Sequence, residues 1–158
     1  MDLFLDIRVK PEQEENKLND LIAWSLSLRD AAFIHQHVVD AWAAQHADKN
    51  SEPIGVAFAL IGLYLHVEEG YTGNEVQRVH MRLAQPRGCG QGQREFPLFP
   101  LPEKRGSITA VDVMAAPEHG RAATIDDWCR SVWEAWHKSH EQVRIWARAE
   151  EIDGGESK

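Results

Sequence analysis

Apolar positions recur at helical spacing along most of this chain, and the helices they predict can be laid out in order. Leu18, Leu21, Ile22, Trp24 and Leu28 repeat every three or four residues, which predicts a first helix over about 18–29. Asp30 stands where it can cap a second helix, 31–47. Its His35, Val38, Val39, Trp42 and His46 fall within about 60° of one direction at about 100° per residue. Ser51, Glu52 and Pro53 open a third helix over 53–68, with a capping hydroxyl and a proline in the first turn. Gly70 ends it, and the box Thr72-Gly73-Asn74-Glu75 opens a fourth that reaches about Gln85. A short helix over 110–116 follows Thr109 and Asp112. Thr124, Asp126 and Asp127 then open a last long helix over 125–150, with Ile125, Cys129, Val132, Trp133, Trp136, His140, Val143 and Ala147 on one stripe.

Two stretches depart from this period. Leu3, Leu5, Ile7 and Val9 alternate with Phe4, Asp6, Arg8 and Lys10, the period of a short strand or docked arm. Residues 86–107 hold four prolines and four glycines and predict a long irregular segment, a length that is usually functional or mobile. The expected architecture is an all-α, up-down helical bundle of four to five main helices. An extended N-terminal arm occupies 1–17, one bundle domain 18–150 and a disordered tail 151–158. A chain of 158 residues buries roughly two thirds of its unfolded surface, so such a domain needs no staple.

Charge and cysteine content narrow the function classes. With 25 acidic against 17 basic residues the formal charge is −8 and no basic stripe offsets it, which argues against a nucleic-acid partner. Cys89 and Cys129 stand alone, without a C-x-x-C pair, so neither a disulfide framework nor a thiolate zinc site is expected. A reducing cytoplasm is the expected compartment. The segment 1–10 lacks the apolar core of a secretory signal, and the apolar run 54–65 is too short to cross a bilayer, so no membrane contact is expected.

The chemistry rests on histidine. Five of the eight, His35, His46, His66, His80 and His140, fall on apolar faces of the predicted helices. A buried imidazole asks for a partner at each ring nitrogen. If the second and third helices reverse near Asn50, His35 lies level with His66. A reversal near Tyr71 sets His80 one turn, or roughly 6 Å, from His66. His46 is roughly 16 Å along its helix from His35 and belongs to the other end. The expected metal ligands are therefore His35, His66 and His80, holding zinc or a similar divalent ion beside the small-residue stripe Gly55, Ala59 and Gly62. His140 or Glu68 is offered as a fourth ligand or base. His37 and His119 read as exposed, Asp40 as a surface or capping acid, and Trp128, Trp133, Trp136 and Trp146 as core.

The segments HQHVVDAWAAQHAD (35–48), IGLYLHVEEGYTGNEVQRVHMRLA (61–84), FPLPEKRGSITAVDV (99–113) and SVWEAW (131–136) resemble a bacterial all-α family of unknown function. The likeness spans about 18–147, and Gln45, His46, His66 and His80 match its recurring motif positions. More remotely, the layout is similar to the DinB and YfiT-like bundles, which implies metal-dependent thiol transfer or hydrolysis around three histidines. Those bundles place two ligands four residues apart on a late helix, whereas His137 and His140 are three apart.

Three readings follow. One is a metal-dependent hydrolase or transferase acting on a small-molecule substrate. Another is a non-catalytic interaction module or homodimer whose histidines serve the core. The third is a metal-free pocket for a small organic acid.

Overall fold

The computed structural model describes residues 11–86 and 94–152; the alternating stretch 3–9, the segment 87–93 and the tail 153–158 lie outside the described residues. Seven α-helices make up the rest: α1 (Pro11–Ser27), α2 (His35–Gln45), α3 (Pro53–Val67), α4 (Gly73–Ala84), α5 (Ala110–Ala115), α6 (Arg121–Ala135) and α7 (His140–Ala149). The expected all-α bundle is observed, with no strand among the described residues. Among the described residues no helix is long and apolar enough to cross a membrane.

α3 organises the interior. It is apolar on all sides, and Ala57 and the run from Ala59 to Leu65 are buried. Such a helix can only be central. α2, α4, α6 and α7 pack around it, and α1 lies outside against α2 and α5. Trp128, Trp133 and Trp136 are fully buried and Trp146 nearly so, as the stripe predicts.

The local signals held in full at the starts of α4 and α5. In α4, Thr72 Oγ1 accepts from Glu75 N at 3.2 Å and Glu75 Oε1 from Thr72 N at 3.1 Å. Asp112 Oδ2 likewise accepts from Thr109 N at 2.9 Å ahead of α5. Asp30 Oδ2 accepts from Ile34 N at 3.2 Å, although α2 starts only at His35. Ser51 does not cap α3; its hydroxyl accepts from Asp48 N at 2.9 Å in the preceding turn.

Several boundaries differ from expectation: α2 starts at His35 instead of Ala31, and α6 starts at Arg121 instead of Ile125, so Thr124, Asp126 and Asp127 lie inside it and do not open it. α1 begins at Pro11 instead of Leu18, so 11–17 is helix and not arm. A proline is harmless at a helix start, and Glu12 and Glu14 in the first turn favour the amide end of the helix dipole. The long last helix is two helices joined by a tight turn at His137–Ser139. Trp133 O, which a continuous helix would offer to the amide of His137, instead accepts from His140 Nε2 at 2.7 Å and from Trp136 N at 3.0 Å. The His140 ring also stacks on Trp133 with centroids 3.9 Å apart. Periodicity misses this corner because both helices present tryptophans to the same core.

The proline-rich segment is tied down by one glutamine. Gln45 Nε2 donates to Arg105 O at 3.0 Å and Ile108 O at 2.8 Å, while its Oε1 accepts from Trp128 Nε1 at 2.9 Å. Ser131 Oγ accepts from Ser107 N at 2.8 Å and Ile108 N at 3.3 Å. Gly106, with φ of +94°, passes so close that an added Cβ would stand 2.6 Å from Ser131 Oγ. Gln45→Ala removes three hydrogen bonds of about 1 kcal/mol each and is expected to cost about 3 kcal/mol in urea unfolding. A loss under about 1 kcal/mol would mean that other contacts hold the segment.

Candidate functional site

The three expected metal ligands are not brought together. His35 Nδ1 meets Ser25 Oγ of α1 at 3.0 Å, the hydroxyl giving its own proton to Ile22 O. His80 Nε2 donates to Phe58 O at 2.8 Å, and its Nδ1 accepts from Gln36 Nε2 at 3.3 Å. His66 Nδ1 faces Tyr71 O at 3.0 Å and its Nε2 faces Asp126 Oδ1 at 2.9 Å. Each ring is bonded to a different set of neighbours. Among the described residues no group of three histidine, cysteine, aspartate or glutamate side chains is arranged to hold a metal ion.

The remaining candidates are also engaged. His46 bonds Trp42 O and Glu14 Oε1, both at 3.0 Å, and stacks on Trp42. Glu68 accepts from Trp133 Nε1 at 2.8 Å and takes Arg144 through both carboxylate oxygens. That pairing makes it a clamp between α3, α6 and α7.

Two residues read as surface groups are interior ones. His37 is 5% exposed and its ring stacks on His66 with centroids 3.5 Å apart. Burial, reinforced by the neighbouring His66 charge and opposed by Asp126, pushes His37 down to about 3. Asp40 is 3% exposed. Its Oδ1 accepts from Gln36 Nε2 at 3.1 Å, and its Oδ2 has no hydrogen-bond partner among the described residues. Burial raises its carboxyl well above the ordinary range, against the opposing Gln36 bond. Its room comes from Gly62, where a Cβ would overlap Asp40 Oδ2. The small-residue stripe is thus filled at Gly62 by a side chain of α2 and does not open a pocket there. No periodicity reports this, because Asp40 falls outside the apolar stripe.

Asp126 is held low by its bond to His66, partly offset by burial. Cys129 is fully buried, and burial first, then the nearby Asp40 and Asp126 charges, raises its thiol well above normal. Its Sγ lies 3.7 Å from His37 O. A thiol so placed is a packing group and not an activated nucleophile.

A concavity lies elsewhere. A cleft of about 810 Å³ opens between residues 100–107 and the stretch 131–139 that forms the α6–α7 corner. Leu101, Pro102, Ala135 and Trp136 give it an apolar lining. Glu103, Lys104, Glu134, His137 and Lys138 stand around it and are exposed. Its walls are the segment that Gln45 and Ser131 secure, and the length and composition of 86–107 were the only sequence signal pointing there.

The buried network sets opposed pH dependences. The folded state keeps His37 neutral down to about 3, whereas the unfolded chain protonates it below 6.5. Its contribution is therefore complete above pH 6.5 and is lost as pH falls from 6.5 toward 3, at up to about 1.4 kcal/mol per unit. His80, lowered chiefly by burial, acts in the same sense. Asp40 has the opposite sign: the unfolded carboxyl ionises above 3.8 while the folded one stays protonated, so stability declines as pH rises past 3.8. Asp40→Asn is expected to gain on the wild type progressively above pH 4, read from urea midpoints between about pH 3 and 8. A difference independent of pH would mean that Asp40 is ionised in the fold.

No curated protein and no solved structure matches the chain. One family model does, described as a family of unknown function (DUF5946), and it covers residues 15–137. That span takes in α1 through α6, the bonds of Gln45 and most of the cleft wall. The chain belongs to this family of unknown function.

Proposed function

We propose that the protein is a small-molecule-binding protein whose ligand occupies the cleft between residues 100–107 and the α6–α7 corner. The observation that carries this reading is the cleft itself. At about 810 Å³ it falls within the range that encloses metabolite-sized ligands, and apolar walls with a few polar groups at the margin are the usual composition of such sites. Its shape is also prepared in advance. Gln45 and Ser131 bond the segment 105–108 to the core, so ligand binding does not have to order it.

The metal-dependent hydrolase or transferase reading rests on the histidine pattern, and each ring has found its own partner. The cleft reading asks for none of those rings to move.

A ligand at about one hundred times its Kd stabilises the fold by about 2.7 kcal/mol, which raises Tm by about 5–10 °C in a domain of this size. A thermal-shift screen of metabolites is expected to find such compounds with chelator present. Ala135→Trp, which fills the cleft from one wall, is expected to abolish the shift while leaving the far-ultraviolet circular dichroism unchanged. A tryptophan variant that still responds would place the ligand elsewhere; a shift that vanishes with chelator would return the argument to a metal.

A further inference from the structure

We infer that the ligand of this cleft is a monoanionic organic acid with an apolar body, an inference that rests on the reading of the cleft as the binding site. Two lysines carry it. Lys104 stands on the segment wall and Lys138 on the opposite wall at the α6–α7 corner. Neither makes a hydrogen bond or ion pair among the described residues, in a chain whose net charge is −8 and whose acids far outnumber its bases. Two exposed cations without an ion pair among the described residues, one on each stretch that lines the cleft, are out of keeping with that surface, and they suit a negative group on a ligand between those stretches.

The rest of the margin limits the charge. Arg105 also lines the cleft, but one of its Nη atoms donates to Ala47 O, which holds the guanidinium back toward the core. His137 gives its Nδ1 to Glu134 O at 3.1 Å. Glu103 and Glu134 lie at the same margin, with no ion pair of their own among the described residues. Lys104 and Lys138 balance Glu103 and Glu134, and the Arg105 guanidinium set behind them leaves the cleft one positive charge in excess. A single carboxylate or sulfonate is neutralised there, whereas a polyphosphate would meet Glu103 and Glu134 with its remaining charges. The wall of Leu101, Pro102 and Ala135, backed by the buried Trp136, supplies the apolar surface that the body of such an acid would cover.

Two dyes that share one skeleton isolate the charge: 8-anilinonaphthalene-1-sulfonate and neutral N-phenyl-1-naphthylamine. Fluorescence titration is expected to show the sulfonate binding about fivefold or more tightly at low salt, the factor a pair of margin contacts carries. The advantage should shrink at about 1 M salt, where the screening length is about 3 Å. The double variant Lys104→Met, Lys138→Met is expected to equalise the two dyes, and Ala135→Trp to abolish both. Equal binding of the two dyes by wild type, or a sulfonate advantage that survives loss of both lysines, would overturn the anion while leaving the cleft in place. Unchanged binding by the tryptophan variant, or no binding of either dye by wild type, would overturn the cleft as well. Circular dichroism and Tm of each variant separate these outcomes from misfolding.

Discussion

A helix without a polar face has to be enclosed, and in this protein α3 imposes that demand on everything around it. Four helices close over it, and two of them, α2 and α4, carry polar residues into the contact: His37, Asp40 and Gln45 from α2, and His80 from α4. Each polar group taken out of water needs a partner close by or costs free energy of the order of a lost hydrogen bond or more. The interior meets this with short local arrangements. Gln36 gives the two hydrogens of one amide to His80 and Asp40, and Gln45 spends its whole amide on two carbonyls and an indole. Where no partner is supplied, as at Asp40 Oδ2, burial keeps the carboxyl protonated.

The tryptophans follow the same logic. Trp128, Trp133 and Trp136 bring large apolar area to the core, and each indole N–H reaches an acceptor: Gln45, Glu68 and the carbonyl of Ala44. These bonds join α6 to α2 and α3 over long sequence separations. His140 completes the set from the far side of the corner by stacking on Trp133 and taking its carbonyl. An abundance of buried histidine here is therefore an abundance of side chains that are part apolar plate and part hydrogen-bond donor, suited to closing gaps between helices.

The enclosed core also shapes the surface. Because Gln45 is anchored on the buried Trp128, the segment it holds stands at a set distance from α6, and the cleft lies between the two. Core packing and cleft geometry are thus coupled through one side chain. The corner between α6 and α7 adds the opposite wall, so the break in the last helix is what gives the cleft its depth.

How much of this could be read beforehand depends on whether the governing interaction was local. The helices over 53–67 and 73–84 were legible because proline at a first turn, a Thr–Glu capping box and a glycine stop act within a few residues. The tryptophan core was legible from spacing alone. The start of α1 at Pro11 was missed because its first turns are polar and have no apolar period to announce them. The corner at 136–139 was missed because His140 and Trp133 meet only once the chain has turned. His37 and Asp40 were misplaced because burial on α2 extends beyond its apolar stripe when Gly62 and His66 of a neighbouring helix lie opposite. The meeting of His35, His66 and His80 was expected from height along the helices, a measure that says nothing of the partners each ring takes across the core: Ser25, Tyr71 and Asp126, and Phe58 and Gln36. Sequence by itself determined that the chain forms helices, where α3, α4 and α5 begin and which faces are largely apolar, since those follow from contacts between residues three or four apart. Tertiary structure alone decided which polar groups pair and where a cleft opens, since both depend on the angle and distance between elements far apart in the chain.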